Sequence, residues 1–198
     1  MNKPFSPAAD RNKEAILKEL KRELLDDQLV LEIASGTGQH ACFFSENLPR
    51  VTWQPTELKQ NIAAIKIRAR EKNLSNLLDP LELDINSLRW PNLKADACYL
   101  CNTFHIVGIH SVRATFAGCK QLLQARGKFC VYGPFSFHGE HTAPSNEQFD
   151  HHLRASDPAS GVRDLVELDQ MAQETGFSPC RYIKMPANNL FVVWECSD

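Results

Sequence analysis

Gln28-Leu29-Val30-Leu31-Glu32-Ile33-Ala34-Ser35-Gly36-Thr37-Gly38-Gln39-His40 is the stretch from which the fold can be read. Residues 28–34 form a short apolar run of the kind that fills a strand buried on both faces of a parallel sheet. The run carries an acid, Glu32, near its end and passes into Ser35-Gly36-Thr37-Gly38. Two glycines let the backbone turn sharply and approach a bound molecule closely. Ala41, Phe44 and Leu48 then space the apolar face of a helix that Pro49 ends. The free N–H groups of that helix's first turn lie beside the glycines. Strand, glycine turn and helix make the opening unit of an α/β layer fold.

The alternation continues outward. Residues 50–54 read as a second strand stopped by Pro55, and Ile62, Ile65 and Ala69 as a helix capped at Asn73. Residues 76–83 read as a weaker third strand, with Pro80 suited to a sheet edge. Residues 95–101 form a fourth strand. Val112, Phe116, Cys119 and Leu123 mark a helix before Gly127, and residues 128–132 form a fifth strand. Leu165, Leu168 and Ala172 mark the last helix, capped near Gly176. Runs at 177–185 and 190–196 flank Pro186-Ala187-Asn188-Asn189 as an antiparallel hairpin. Upstream, Ile16, Leu17, Leu20 and Leu24 give an amphipathic helix, and residues 1–10, with Pro4 and Pro7, read as an extended lead-in. Residues 134–163 read as one long, irregular polar loop, a candidate lid over a binding site. The expectation is a single α/β domain over 1–198: a Rossmann-like, mostly parallel sheet, helices on both faces, closed by the antiparallel hairpin.

Composition agrees. A chain of 198 residues with 43% hydrophobic and 23% charged residues suits one globular domain and excludes a wholly disordered chain. No apolar run approaches the ~18 residues of a membrane span. The start, MNKPFSPAADRNKE, lacks the apolar core of a secretory signal. Lys+Arg 22 against Asp+Glu 24 gives a net charge of -2, which argues against a broad nucleic-acid footprint. Seven cysteines, among them Cys98, Cys101, Cys130 and Cys196 in apolar segments, point to free buried thiols and a cytoplasmic setting. Cys98 and Cys101 would face opposite sides of one strand, as core residues and not a redox pair.

The glycine turn departs from the dinucleotide fingerprint, with Ala41 in the third glycine's place. Spacing alone leaves a nicotinamide cofactor open. Glu32, Glu57 and Asp84 end three consecutive strands, the edge where ligands of such sheets bind. Carboxylates there suit a cationic group better than a pyrophosphate. S-adenosylmethionine carries an ammonium and a sulfonium and no phosphate. Glu57 is placed to accept both ribose hydroxyls, and Asp84 to reach the adenine amino group.

Glu32-Ile33-Ala34-Ser35-Gly36-Thr37-Gly38-Gln39-His40 resembles motif I of class I S-adenosylmethionine-dependent methyltransferases. The whole chain resembles the methyltransferase-like 26 type, a former domain of unknown function. The likeness runs through residues 3–12, 30–40, Trp53–Glu57, Asn102–Ile106 and Tyr132–Phe135, then Ser145-Asn146, Phe149-Asp150, Leu153-Arg154, Gly161–Asp164 and Met185–Asn189. It implies a seven-stranded sheet of order 3-2-1-4-5-7-6, its last strand antiparallel. It implies S-adenosylmethionine held by Glu32, Gly36, Gly38, Glu57 and Asp84, with Ala34, Ser35, His40, Ile85 and Asn102 beside them. Phe5, Arg11 and Asn12 would close over the cofactor from the N-terminal side. Two departures are visible: Ala34 stands where motif I usually has glycine, and Glu57 where the ribose acid is often Asp.

Methyl transfer is a displacement that the protein assists mainly by alignment. Asn102 could orient an acceptor, and His105 could take its proton, although a histidine here could equally cap the next helix. Tyr132 and Phe135 could wall the acceptor pocket or simply pack. Ser145, Asn146, Asp150, Arg154, Arg163 and Asp164 are candidate acceptor contacts, or else pairs pinning a solvated loop. The arginines would suit a carboxylate or phosphate, hence a small polar or anionic acceptor. His138, His141, Asp150, His151 and His152 lack the spacing of known metal sites, so no metal is expected. Two other readings remain: a non-catalytic cofactor-binding sensor or partner-binding protein, and a metal-assisted hydrolase.

Overall fold

β1 (Leu29–Ile33) is buried at every residue but Leu29 because it runs between two parallel neighbours, β2 (Thr52–Glu57) and β4 (Ala95–Cys101). The computed structural model describes residues 4–197, so the first three residues of the lead-in and Asp198 lie outside the described residues. Beyond β2 lies β3 (Leu81–Glu82), and beyond β4 lie β5 (Leu123–Gly133), β10 (Asn189–Glu195) and β9 (Arg181–Met185). The seven-stranded order is β3-β2-β1-β4-β5-β10-β9, with β10 antiparallel to both its neighbours. This is the Rossmann-like topology expected, seventh strand inserted between fifth and sixth.

Alternation along the strands divides the core in two. Leu31, Ile33, Cys98, Leu100, Phe129 and Val131 face α4 (Ile109–Leu122) and α6 (Leu165–Thr175). Val30, Tyr99, Cys130 and Tyr132 face α1 (Pro7–Glu23) and α2 (Gln39–Asn47). Cys98 and Cys101 accordingly lie on opposite faces, and all seven cysteines are unbonded. Burial pushes the Cys101 and Cys130 thiols up to about 12, which keeps them protonated and unreactive. Among the described residues, no helix is long and apolar enough to cross a membrane.

Four readings of the sequence need correction. Pro55 does not stop β2; it sits inside it, opposite Glu32. Trp53 N and O bond Asn76 O and Leu78 N, so odd-numbered β2 residues face the β3 side. The missing N–H of Pro55 therefore falls between the isolated Trp53–Leu77 bridge and the Thr56–Leu81 pairing, where no ladder bond is lost. The third strand shrinks to β3 for a related reason, since Pro80 interrupts pairing over 76–83. The lead-in is not extended to residue 10. Ser6 caps α1 by accepting from Ala9 N at 3.2 Å, and Pro7 occupies the first helical position, where its fixed φ is favourable.

The largest correction concerns residues 134–163. They hold β6 (Phe135–Phe137), β7 (Glu140–His141) and α5 (Pro144–Ser156), which the loop reading did not foresee. β6 and β7 turn through His138 and Gly139, both at positive φ, and β8 (Arg163–Asp164) completes a second sheet of order β7-β6-β8. Only Asn146 and Asp150 of α5 are buried. The helix has no apolar stripe, so periodicity could not reveal it.

Candidate cofactor and acceptor site

The site begins where β1 gives way to the glycine turn. Ala34, Gly36 and Gly38 have φ of 54°, 54° and 72°. A Cβ on Gly38 would meet Ile65 Cγ2 at 3.0 Å, so α3 (Ile62–Lys72) packs against that glycine. A Cβ on Gly36 would meet nothing within 4 Å: the turn is roofed by open space. Glu57, at the end of β2, reaches this turn. Its Oε2 accepts from Gly36 N at 2.7 Å, and its Oε1 accepts from Leu58 N at 2.9 Å and Asn61 Nδ2 at 3.2 Å.

Glu32 is buried, and its Oε2 accepts from Trp53 Nε1 at 2.8 Å. Burial raises its pKa to about 8 despite that bond, so it is protonated at neutral pH until a cation comes near. Ser35 is committed to the β1–β2 junction, its Oγ accepting from Thr56 N at 3.2 Å. Asp84 is exposed just past β3, with Oδ1 accepting from Asn86 N at 2.9 Å; Ile85 packs on the core.

α1 is fastened over this edge. His40 Nε2 faces two acceptors, Ala9 O at 3.1 Å and Asn12 Oδ1 at 2.8 Å, so it carries the proton and donates. Burial lowers the His40 pKa to about 4 and keeps the ring neutral. Ser6 and Gln39 exchange two bonds, Ser6 N to Oε1 at 2.5 Å and Nε2 to Ser6 O at 3.2 Å. Arg68 donates to Thr37 O at 2.9 Å and Pro4 O at 2.7 Å, tying the glycine turn to the lead-in. Phe5 and Arg11 are exposed.

Asn102 and His105 follow β4. Asn102 has φ 52°, and its N–H donates to Tyr132 O at 2.8 Å. A Cβ on Gly133 would lie 3.7 Å from Asn102 Oδ1 and 3.9 Å from His105 Nδ1, so both side chains border one gap above Gly133. That gap opens into a cavity of about 570 Å³ lined by Asn102, His105, Ser145, Asn146, Phe149 and Asn188, among others. The His105 ring meets Phe149 edge to face at 5.1 Å. Burial, with Arg163 nearby, lowers its pKa to about 4.

The predicted acceptor contacts part company here. Ser145 and Asn146 share the cavity with Asn102 and His105. Asp150, Arg154 and Arg163 line a different cavity of about 430 Å³, together with Ser136, His141 and Asp164. Arg154 Nε donates to Asp150 Oδ2 at 2.8 Å, and Asp150 Oδ1 accepts from Val162 N at 2.6 Å. Arg163 is spent on three backbone carbonyls, those of Phe104, Val107 and Ala159. Phe135 is inside the core, and Tyr132 is buried beneath α1. Among the described residues, no three His, Cys, Asp or Glu side chains gather as a ligand set, and His151 and His152 are exposed.

Several residues of this region escaped the sequence. Trp53, Gln39 and Arg68 act across elements distant in the chain, which spacing does not encode. Phe149 and Asn188 sit on α5 and on the β9–β10 turn, whose juxtaposition was hidden with α5. Gly133 did carry a signal, as the residue directly after the fifth-strand reading.

Residues 3–196 match a family described as "Protein of unknown function (DUF938)". Among solved structures, the chain is similar to the apo form of the S-adenosylmethionine-dependent methyltransferase SibL, at 13% identity and TM-score 0.82, over 96% of this chain and 56% of that one. It is also similar to human N-acetylserotonin methyltransferase in complex with S-adenosylmethionine, at 13% identity and TM-score 0.78, over 96% and 53%. A third similarity is to PigF with S-adenosylhomocysteine, at 18% identity and TM-score 0.79, over 96% and 63%. The chain thus spans less than two thirds of these proteins' length, and at such identities the likeness is one of fold.

Proposed function

The chain belongs to the DUF938 family of proteins of unknown function, and from the site above we propose that it is an S-adenosylmethionine-dependent methyltransferase acting on a small-molecule acceptor. The kinship with the methyltransferase-like 26 type is part of this proposal. The observation that carries it is one juxtaposition: Asn102 and His105 border a single gap above Gly133, one strand from the Gly36 turn. The side chains of both have no hydrogen-bond partner among the described residues.

The residues fit the cofactor. Gly36 leaves an open cradle, and three acids at the strand ends favour a cationic ligand over a pyrophosphate. Bound, S-adenosylmethionine supplies a methyl group already activated on a sulfonium. Glu57 Oε2 keeps a lone pair to accept one ribose hydroxyl, and Oε1 can accept the other in exchange for its 3.2 Å bond from Asn61 Nδ2. Asp84 keeps Oδ2 for a donor on the base. Glu32, neutral when alone, ionises beside a cation and so favours a charged ligand selectively. α1, held by His40, and the lead-in, held by Gln39 and Arg68, would exclude water from this edge. Asn102 orients the acceptor's heteroatom through its amide. A ring nitrogen of His105 would take the proton that this heteroatom loses. A base of such low proton affinity acts late, once the heteroatom has turned strongly acidic.

Isothermal titration with S-adenosylmethionine tests the reading. One-to-one binding, weakened at least tenfold in Glu57→Ala, is expected; no binding by either protein would remove it. A non-catalytic binder of the same cofactor is the competing reading, favoured by the low proton affinity of His105. Transfer of labelled methyl into a metabolite extract separates the two. We also propose a cytoplasmic setting, supported by the seven unbonded cysteines. No nucleic-acid or membrane partner is proposed, consistent with the net charge of -2.

A further inference from the structure

We propose that the acceptor is an uncharged molecule that brings O–H or N–H donors and a flat apolar face to the cavity between Gly133 and α5. This rests on the methyltransferase reading and narrows it to a substrate class.

Charge disfavours an ionised acceptor. Among the described residues, no Lys, Arg, Asp or Glu lines the 570 Å³ cavity. Arg154 and Arg163, the cations that would suit a carboxylate or phosphate, line the other cavity, one paired with Asp150 and the other bound to backbone carbonyls. An ionised acceptor would leave water without a counter-charge, which is costly.

The direction of the amides sets what the ligand must bring. Asn146 Nδ2 donates to Asn188 O at 2.9 Å and to Thr142 Oγ1 at 2.9 Å. A backbone carbonyl can only accept, so the orientation of this amide is fixed. Asn188 Nδ2 in turn donates to Ser145 Oγ at 3.0 Å. Both N–H groups of Asn146 and one of Asn188 are therefore used within the protein, and neither Oδ1 has a partner among the described residues. Carbonyl oxygens without cations welcome donors and repel anions. The turn that carries Asn188 is strained, with φ of 56° at Ala187 and 57° at Asn188, and these bonds to α5 hold it over the cavity.

Phe149 is 37% exposed although its ring packs edge to face with His105, so part of the aromatic side chain stays open beside the gap. Such a surface suits stacking by a planar ligand.

The test uses labelled S-adenosylmethionine and a small-molecule extract split by ion exchange into acidic, basic and neutral fractions. Label is expected in the neutral fraction. Phe149→Ala should raise KM for that activity at least tenfold with cofactor affinity unchanged. Arg154→Gln should stay within twofold of the parent. Label confined to the acidic or basic fraction would overturn the proposal. So would a hundredfold loss in Arg154→Gln with melting temperature and cofactor affinity kept. Label in no fraction, from protein that binds the cofactor, would overturn the methyltransferase reading instead.

Discussion

The indole N–H of Trp53 donates to Glu32 Oε2 at 2.8 Å, so the acid ending β1 meets the site with one oxygen already engaged from the neighbouring strand. That bond does not offset the cost of burial, and the carboxyl stays protonated to about pH 8. The fold therefore prefers protonated Glu32, and the unfolded chain ionises it near 4.5. The contribution to stability is full below about pH 4.5 and is lost as pH rises towards 8.

Glu32→Gln keeps an acceptor for Trp53 and removes the titration. Its melting temperature should exceed that of the parent by a margin that widens from pH 5 to pH 8, corresponding to a few kcal/mol at most, from about 1.4 kcal/mol per pKa unit. Thermal melts across that range check this. A margin independent of pH would contradict it.

A cation bound beside Glu32 should expel the proton. Cofactor binding at pH 7 should then release protons, seen as different titration heats in phosphate and Tris buffers. Equal heats in the two buffers, with only dilution subtracted, would show that Glu32 stays neutral in the complex.

Ala34 holds φ 54°, a conformation that costs an L-residue with a Cβ about 1–2 kcal/mol. Ala34→Gly should raise stability by roughly 1 kcal/mol by denaturant titration. Gly36→Ala, at the same φ, should lose about as much and also place a methyl in the open cradle, weakening cofactor binding at least tenfold.

Catalytic variants should separate chemistry from cofactor binding. His105→Ala should lower kcat by about 10²–10⁴, the range for a positioned acid–base group, with cofactor affinity kept. With its pKa lowered to about 4, His105 is neutral throughout the physiological range. Its titration should make kcat/KM fall only below about pH 5. Gly133→Val should fill the gap between Asn102 and His105 and remove turnover while cofactor still binds. Unchanged turnover in that variant would show that the acceptor approaches from elsewhere.

The sheet was legible because its signals are local. An apolar run before a glycine turn marked β1, and Asn73 and Gly176 both cap helices at positive φ as their sequence positions suggest. Glu57 was legible too: the strand-end reading puts it beside the glycine turn, and its Oε2 accepts from Gly36 N. What remained hidden depends on contacts across the chain. α5 shows no apolar periodicity because its buried residues are Asn146 and Asp150, held by hydrogen bonds instead of by a hydrophobic stripe. With α5 unseen, Ser145 and Arg154 appeared to belong to one loop. The helix sends the first to the cavity of Asn102 and His105 and the second to the opposite one.

The most direct test of the account is a crystal structure with S-adenosylhomocysteine bound. The ribose hydroxyls should meet Glu57 above the Gly36 turn, and the sulfur should point into the gap between Asn102 and His105. A ligand seated away from Gly36 and Glu57, or a sulfur turned away from that gap, would contradict it.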